Sequence, residues 1–267
     1  MSVALATTYH DARDRMYDQI QRNIPLLTQI FQGIAIQASI QAPQRSVTML
    51  QDHGAMVERD PSLSQPTETY LGTIRRQAPL TATQYQTSHI VYFDSLLHWS
   101  DTYHDELIQI MTQHIPTYDM TIIGRTPRAL HSHPHAQRET EQLINSLFQH
   151  LTGYAWDVMR SGRGFSRRAV DVILTQADDR QISTDVTWPL ILLQHSDFAL
   201  TCVQVEGTEF ETGDRYSSEV QQLGGQQQWV NHLDTDPRRW AHRFNLARIH
   251  AEAMIPYTGE NTRLERQ

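Results

Sequence analysis

"DVMRSGRGFSRRAV", residues 157–170, sets four arginines and two glycines between a stretch of helical periodicity and the apolar run Val172, Ile173 and Leu174. A plain turn needs only glycine and small polar residues, and a solvated face ordinarily mixes in lysine or glutamate, yet the chain contains no lysine. Gly162 and Gly164 let a backbone approach a ligand closely, and Arg160, Arg163, Arg167 and Arg168 offer forked donors matched to phosphate. The competing reading is a connector between two helices with exposed arginines. Either way the stretch reads as a flexible turn, and the chain on both sides has to supply the fold.

Upstream, short apolar runs alternate with helical patterns. "VALAT" (3–7) stops at the turn and capping residues "TYHDARD", and Met16, Ile20, Ile24 and Leu27 then recur at helical spacing. "IFQGIAIQAS" reads as a second strand, "SVTMLQDHGAMVER" as a helix leading to a short strand, "HIVYFDSLLHW" as a strand ending at Asp94, "DELIQIMTQHI" as a helix and "YDMTIIGR" as another strand. This β, α, β, α, β, α, β order predicts an α/β fold with a mostly parallel central sheet flanked by helices. Downstream come a helix with the stripe Leu143, Ile144, Leu147, Phe148 and Leu151, then the arginine stretch, "ISTDVTWPLILLQ" and the strand "FALTCVQVEG". The tail opens on Asp236 and Pro237, a helix start, with Trp240, Phe244, Ala247, Ala251 and Met254 on its apolar side. The expected organisation is one domain over 1–224 with a C-terminal helical extension over 225–267 packed on it. Residues 59–69, "RDPSLSQPTET", are the candidate mobile loop.

Bulk properties narrow the function. A formal net charge of −8 argues against a phosphate-neutralising nucleic-acid surface. The single cysteine, Cys202, excludes an intrachain disulfide and reads as a strand residue. The N-terminus lacks a basic segment followed by a long apolar one, and no run reaches the ~18 apolar residues of a membrane span. The expectation is a cytoplasmic protein, with peripheral membrane contact left open.

In parallel sheets ligands sit beyond the carboxyl ends of the strands, so those ends carry the candidates. Asp94 can hold a divalent cation that bridges phosphates, or it caps a helix beginning at Ser95. At the end of the first strand, Thr8 to Asp11, a nucleotide base can lie against Tyr9 while Asp11 reaches a polar edge, or the segment caps the next helix. Asp185 stands where a partly desolvated carboxylate can act as a general base, a role compatible with helix capping. His131, His133 and His135 alternate along "HSHPH" and suggest a metal site, though zinc usually draws ligands from separated elements; Arg125 and Arg128 nearby can help bind an anion.

From "YDMTIIGR" through "VEGTEFETGDRY", roughly residues 118–216, the chain resembles the second half of family 2 glycosyltransferases of the polyprenyl-phosphate mannosyl- and glucosyltransferase type. The resemblance rests on Gly124 and Arg125, then Asp157, Ser161, Gly162, Arg163, Phe165 and Arg167, then Asp185. It implies a GT-A type fold, a nucleotide-diphosphate sugar donor, an acceptor hydroxyl of unknown identity and a divalent cation, Mg or Mn. It also implies Asp185 as catalytic base, Thr8, Tyr9, Asp11, Arg125, Arg163 and Arg167 as substrate-binding residues, and Asp94 as the metal ligand. The family's Asp-x-Asp motif is represented by Asp94 alone. Two alternatives accompany this reading: a nucleotide-sugar binding protein of the same fold without transfer activity, and a metal-dependent hydrolase using the three histidines.

Overall fold

The structure, a computed structural model, describes residues 3–59, 76–77, 85–160, 162–179 and 181–258. The loop expected at 59–69 lies outside these residues apart from Arg59, as does Ser161.

The first strand, β1 (Val3–Tyr9), is the centre of the N-terminal half. It pairs in parallel with β2 (Ile34–Ala38) on one side and β4 (Thr87–Tyr92) on the other, while β3 (Met56–Arg59) extends the sheet beyond β2. Alternation along β1 sends Val3, Leu5 and Tyr9 to one core and Ala6 to the other, as expected of a strand covered on both faces. Helices α1 (Tyr17–Ile30) and α2 (Gln44–Asp52) connect these strands. The periodic residues Ile20, Ile24 and Leu27 of α1 are all buried.

The expected strand ending at Asp94 stops two residues sooner. Tyr92 closes β4, and Phe93 opens α3 (Phe93–Thr102), so Asp94 lies in the first turn of a helix. Helix α4 (His104–Gln109) runs through a short π-turn and a 3-10 turn, Ile115–Thr117, into β5 (Met120–Arg125). After α5 (Pro127–His131) comes α6 (His135–Thr152), whose inner face buries Ala136, Thr140, Glu141, Ile144 and Phe148. Leu143, expected on that face, is 64% exposed.

The arginine stretch is not a turn. Residues Arg163–Ser166 form β6, a strand that enters between β4 and β5 and runs antiparallel to both. The sheet, seven-stranded among the described residues, therefore has the order β3-β2-β1-β4-β6-β5-β7, with β7 (Leu200–Val205) parallel to β5. The mostly parallel, helix-flanked sheet expected from the sequence is present; the antiparallel insertion is what that reading lacked.

Gly164 explains the glycines of the motif better than ligand approach does. A Cβ there would meet Ile115 Cδ1 at 2.3 Å and Cγ2 at 2.8 Å, so β6 can cross the preceding turn only with hydrogen at this position. Ser166 then caps α7 (Arg167–Gln176), its hydroxyl accepting from Ala169 N–H at 3.3 Å. Helix α8 (Thr184–Leu193) is buried along its whole length, its apolar run Trp188–Leu193 inside the core and the polar Thr184, Asp185 and Thr187 buried with it.

After α9 (Ser217–Gln222), Gly224 and Gly225 both adopt positive φ before α10 (Gln226–Asp234) and α11 (Pro237–Met254). Helix α11 packs on α6 and α8. Of its expected apolar side, Met254 is buried and Ala247 and Ala251 pack against the core, whereas Phe244 is 55% exposed; Leu246 and His250 complete the buried face. Among the described residues no helix is long and apolar enough to cross a membrane.

Candidate functional site

At the carboxyl ends of β4 and β5 the sheet opens onto a cavity of about 190 Å³. Tyr92 and Arg125, the last residues of those strands, form its floor, Asp185 enters from the first turn of α8, and α11 closes it with Arg243, Leu246 and His250. Ligands of open α/β sheets are expected beyond the carboxyl ends of the strands, where this cavity lies.

The floor is braced by charge. Arg125 is 3% exposed and spends its guanidinium on two carboxylates: Nε and Nη2 donate to Asp157, each at 2.7 Å, and Nη1 donates to Glu141 at 2.6 Å. Burial would raise the Asp157 carboxyl, but Arg125, with Asn145 donating at 2.8 Å, outweighs it and holds the group down at about 2. The same carboxylates hold the Arg125 guanidinium firmly protonated despite its burial. Arg125 lines the cavity, but its donors point into the wall.

Around Asp94 the arrangement is different. One carboxylate oxygen accepts from Ser95 N–H at 3.0 Å, the other pairs with Arg215 Nη2 at 2.8 Å. The Ser95 hydroxyl donates to Glu211 Oε1 at 2.8 Å, and Glu211 Oε2 has no hydrogen-bond partner in the protein, with Arg160 Nη2 3.8 Å away. Burial pushes the Asp94 carboxyl up; Arg215 opposes the rise and Glu211 adds to it. Glu211 and Arg160 both line the cavity that Asp185 enters. A buried, unpartnered carboxylate oxygen beside a second carboxylate is oxygen chemistry that suits a hard divalent cation. Among the described residues no three His, Cys, Asp or Glu side chains converge as a metal cage, so at most two protein carboxylates can contribute and phosphate or water would complete the shell.

Other predicted residues fall elsewhere. Arg163 is 3% exposed, and its guanidinium donates to the carbonyls of Arg160, Gly162, Val158 and Asp185; it braces the loop under Asp185 and is not among the residues lining the cavity. Arg167 pairs with Asp171 at 2.9 Å on the outer side of α7, and Arg168 pairs with Asp119 and Asp197. Of the four arginines, Arg160 is the one that lines the cavity. Tyr9 is 1% exposed and meets Phe93 edge-on at 5.7 Å, so its ring belongs to the core and offers no stacking platform. Asp11 accepts from the N–H groups of Arg15 and Met16 at 3.0 and 2.8 Å, ordering the approach to α1. Thr8, half-buried at the end of β1, pairs with Gln37 and Tyr92 across the sheet, and neither it, Tyr9 nor Asp11 lines the cavity.

The three histidines separate. His133 is buried against the cavity, whereas the His131 and His135 side chains occupy exposed positions, His135 against Trp240 and Glu139. That geometry removes the basis for a three-histidine hydrolase.

Neither a protein-family model nor a curated protein matches the sequence. Among solved structures, one described only as a mycobacterial protein superimposes with a TM-score of 0.50 at 11% identity, covering 76% of this chain and 65% of that one. The present chain thus spans just under two thirds of that protein's length. The likeness is one of fold: a seven-stranded, mostly parallel sheet flanked by helices among the described residues. Glucosyl-3-phosphoglycerate synthase from Mycobacterium tuberculosis, crystallised with Mg2+ and uridine diphosphate, gives a TM-score of 0.48 at 9% identity, with 76% of this chain and 70% of that one covered. A further structure of that synthase gives 0.46 at 9%, covering 83% and 79%.

Sequence reasoning missed Glu211, Glu141, Arg243 and His250. Glu211 had no signal, since it lies in an irregular segment. His250 had one: it sits four residues from both Leu246 and Met254, the spacing of a helix face.

Proposed function

We propose that this chain is a glycosyltransferase that moves a sugar from a nucleotide diphosphate to a hydroxyl acceptor. The observation that carries the reading is that Asp185, Glu211 and Arg160 line one cavity beyond the carboxyl ends of β4 and β5, with Asp94 joined to it through Ser95. Asp185 accepts the proton of the acceptor hydroxyl as that oxygen forms its bond to the anomeric carbon. The bond from that carbon to the diphosphate breaks, and the electron pair leaves with the phosphate. Arg160, at the mouth formed with Glu211, stabilises the departing charge. Asp94 and Glu211 are the residues that would hold a divalent cation, which when bound supplies charge neutralisation for the diphosphate.

The test is transfer or donor hydrolysis by the whole chain with uridine and guanosine diphospho-sugars in manganese. Asp185→Asn is expected to abolish turnover while leaving nucleotide affinity within about twofold. Nucleotide binding without turnover in the parent chain, unchanged in Asp185→Asn, would instead support a non-catalytic nucleotide-sugar binder. The ion pair that Arg215 makes with Asp94 favours that second reading, because the guanidinium already occupies one carboxylate oxygen.

A further inference from the structure

Two buried histidines line the same cavity, each with an Nε2 that has no hydrogen-bond partner in the protein. His133, 2% exposed, places Nδ1 2.9 Å from the Ala129 carbonyl; His250, 0% exposed, places Nδ1 2.7 Å from the Leu246 carbonyl. A carbonyl only accepts, so Nδ1 carries the hydrogen in both rings, and in the neutral imidazole Nε2 is then a bare lone pair. Burial, reinforced by Arg125 and Arg160, holds the His133 ring well below the usual histidine range and therefore neutral. Buried polar atoms of this kind are ordinarily satisfied, so an unpartnered pair lining one cavity marks what the cavity receives.

The chemistry of the walls selects among ligands. Among the described residues no three His, Cys, Asp or Glu side chains converge on a metal position, so the two histidines belong to no protein metal cage. An anion finds a donor on Arg160 in the same lining, but beside the two imidazole nitrogens and the Asp185 carboxylate it would set lone pair against lone pair. A hydroxyl group suits every position, since it donates to nitrogen or carboxylate and accepts from arginine. His250 Nε2 lies 3.6 Å from Asp185 Oδ2, too far for a direct hydrogen bond but suited to neighbouring hydroxyls, one on each atom. The volume, about 190 Å³, is that of roughly six waters, the bulk of a small polyol.

We propose that the cavity takes a neutral, hydroxyl-rich ligand, the polyol or sugar acceptor of the transfer, whose O–H groups donate to Nε2 of His133 and of His250 and to Asp185. The proposal rests on the transferase reading for the ligand's role and on the two histidines for its chemistry. His250 thereby gives the C-terminal helix a part in acceptor recognition.

Nitrogen-15 spectra of the full chain labelled at histidine, titrated with myo-inositol and glycerol and separately with inorganic phosphate and phosphoglycerate, test it. Both Nε2 resonances should begin at the unprotonated end of the range and move toward the hydrogen-bonded end as polyol is added. Inorganic phosphate should move neither. His250→Phe and His133→Phe should each weaken polyol binding about tenfold, the order expected for one lost hydrogen bond. The proposal is overturned if the wild-type rings are protonated at Nε2, if no polyol moves them, or if the anions bind in place of polyol. Uridine diphosphate affinity and donor turnover, measured in parallel, report on the transferase reading by themselves. Polyol binding without turnover would sink that reading alone, and turnover with unmoved histidines would sink this one alone.

Discussion

Arg163 separates a structural arginine from a ligand-binding one, and Arg163→Met makes the distinction measurable. Its guanidinium is buried and donates to four backbone carbonyls, those of Val158, Arg160, Gly162 and Asp185, which hold β6, the bend before it and the start of α8 in one arrangement. Truncating one partner of a buried charged cluster typically costs about 3 to 5 kcal/mol, because the groups left behind lose their donors. In a chain of this size each kcal/mol lowers the melting temperature by about 2 to 4 °C, so a fall of roughly 6 to 20 °C is expected. Arg163→Lys should recover little of it, since one ammonium cannot reproduce a planar fork serving several carbonyls. Urea unfolding followed by circular dichroism gives the stability change, and titration calorimetry with uridine diphosphate, at a temperature where the variant is folded, gives the affinity. Our reasoning expects a large loss of stability and an affinity within about threefold of the parent. A variant that melts like the parent but loses nucleotide affinity tenfold would show that the guanidinium faces a ligand.

Three further outcomes follow from local geometry. Gly164→Ala should cost about 1 to 3 kcal/mol through its collision with Ile115, and Ile115→Ala in the same chain should return part of that loss in a double-mutant cycle. Asp157 sits at about 2 against an ordinary 3.8, so its contribution to stability is fully present above pH 3.8 and is lost as pH falls toward 2. A two-unit depression corresponds to about 2 to 3 kcal/mol, and Asp157→Asn should remove one proton from the acid limb of a stability–pH profile, leaving that of Asp119. His98 bridges Asp214 at 2.8 Å and Glu209 at 3.1 Å; burial alone would lower the ring, but these partners raise it above 6.5. Its tether on the 206–214 segment is therefore present below pH 6.5 and is lost as pH rises through the raised value. Hydrogen exchange of that segment, corrected for the intrinsic rate, should accelerate across that interval in the parent and show no such step in His98→Gln.

Most of the sheet was legible because its strands are apolar runs bounded by turn residues, and a strand buried on both faces has no other way to be written. Strand β6 was not legible, since "RGFS" carries a single apolar residue, Phe165, and its arginine mimics a solvent-facing side chain until the four carbonyls around it are known. Asp185 was readable as a carboxylate at a helix start. Glu211, neighbour of Asp94, was hidden by distance along the chain: it accepts from the Ser95 hydroxyl across 116 residues of sequence. On α11 the aromatic Phe244 advertised a position that the fold leaves outside, while the buried face carried a histidine. Periodicity locates a helix face, but which face turns inward is set by what the rest of the chain has left uncovered.

The antiparallel β6 is the seam between two halves of the sheet: β4 and β5 meet only through it, and it is encoded after both. A nascent chain on the ribosome must therefore hold β1 to β4 with a bare edge until residue 166 emerges. Such an edge is a template for pairing with any other unfinished copy. A chain released before residue 163 would be expected to self-associate through β4, and four residues of unpromising sequence thus guard the whole protein against its own synthesis.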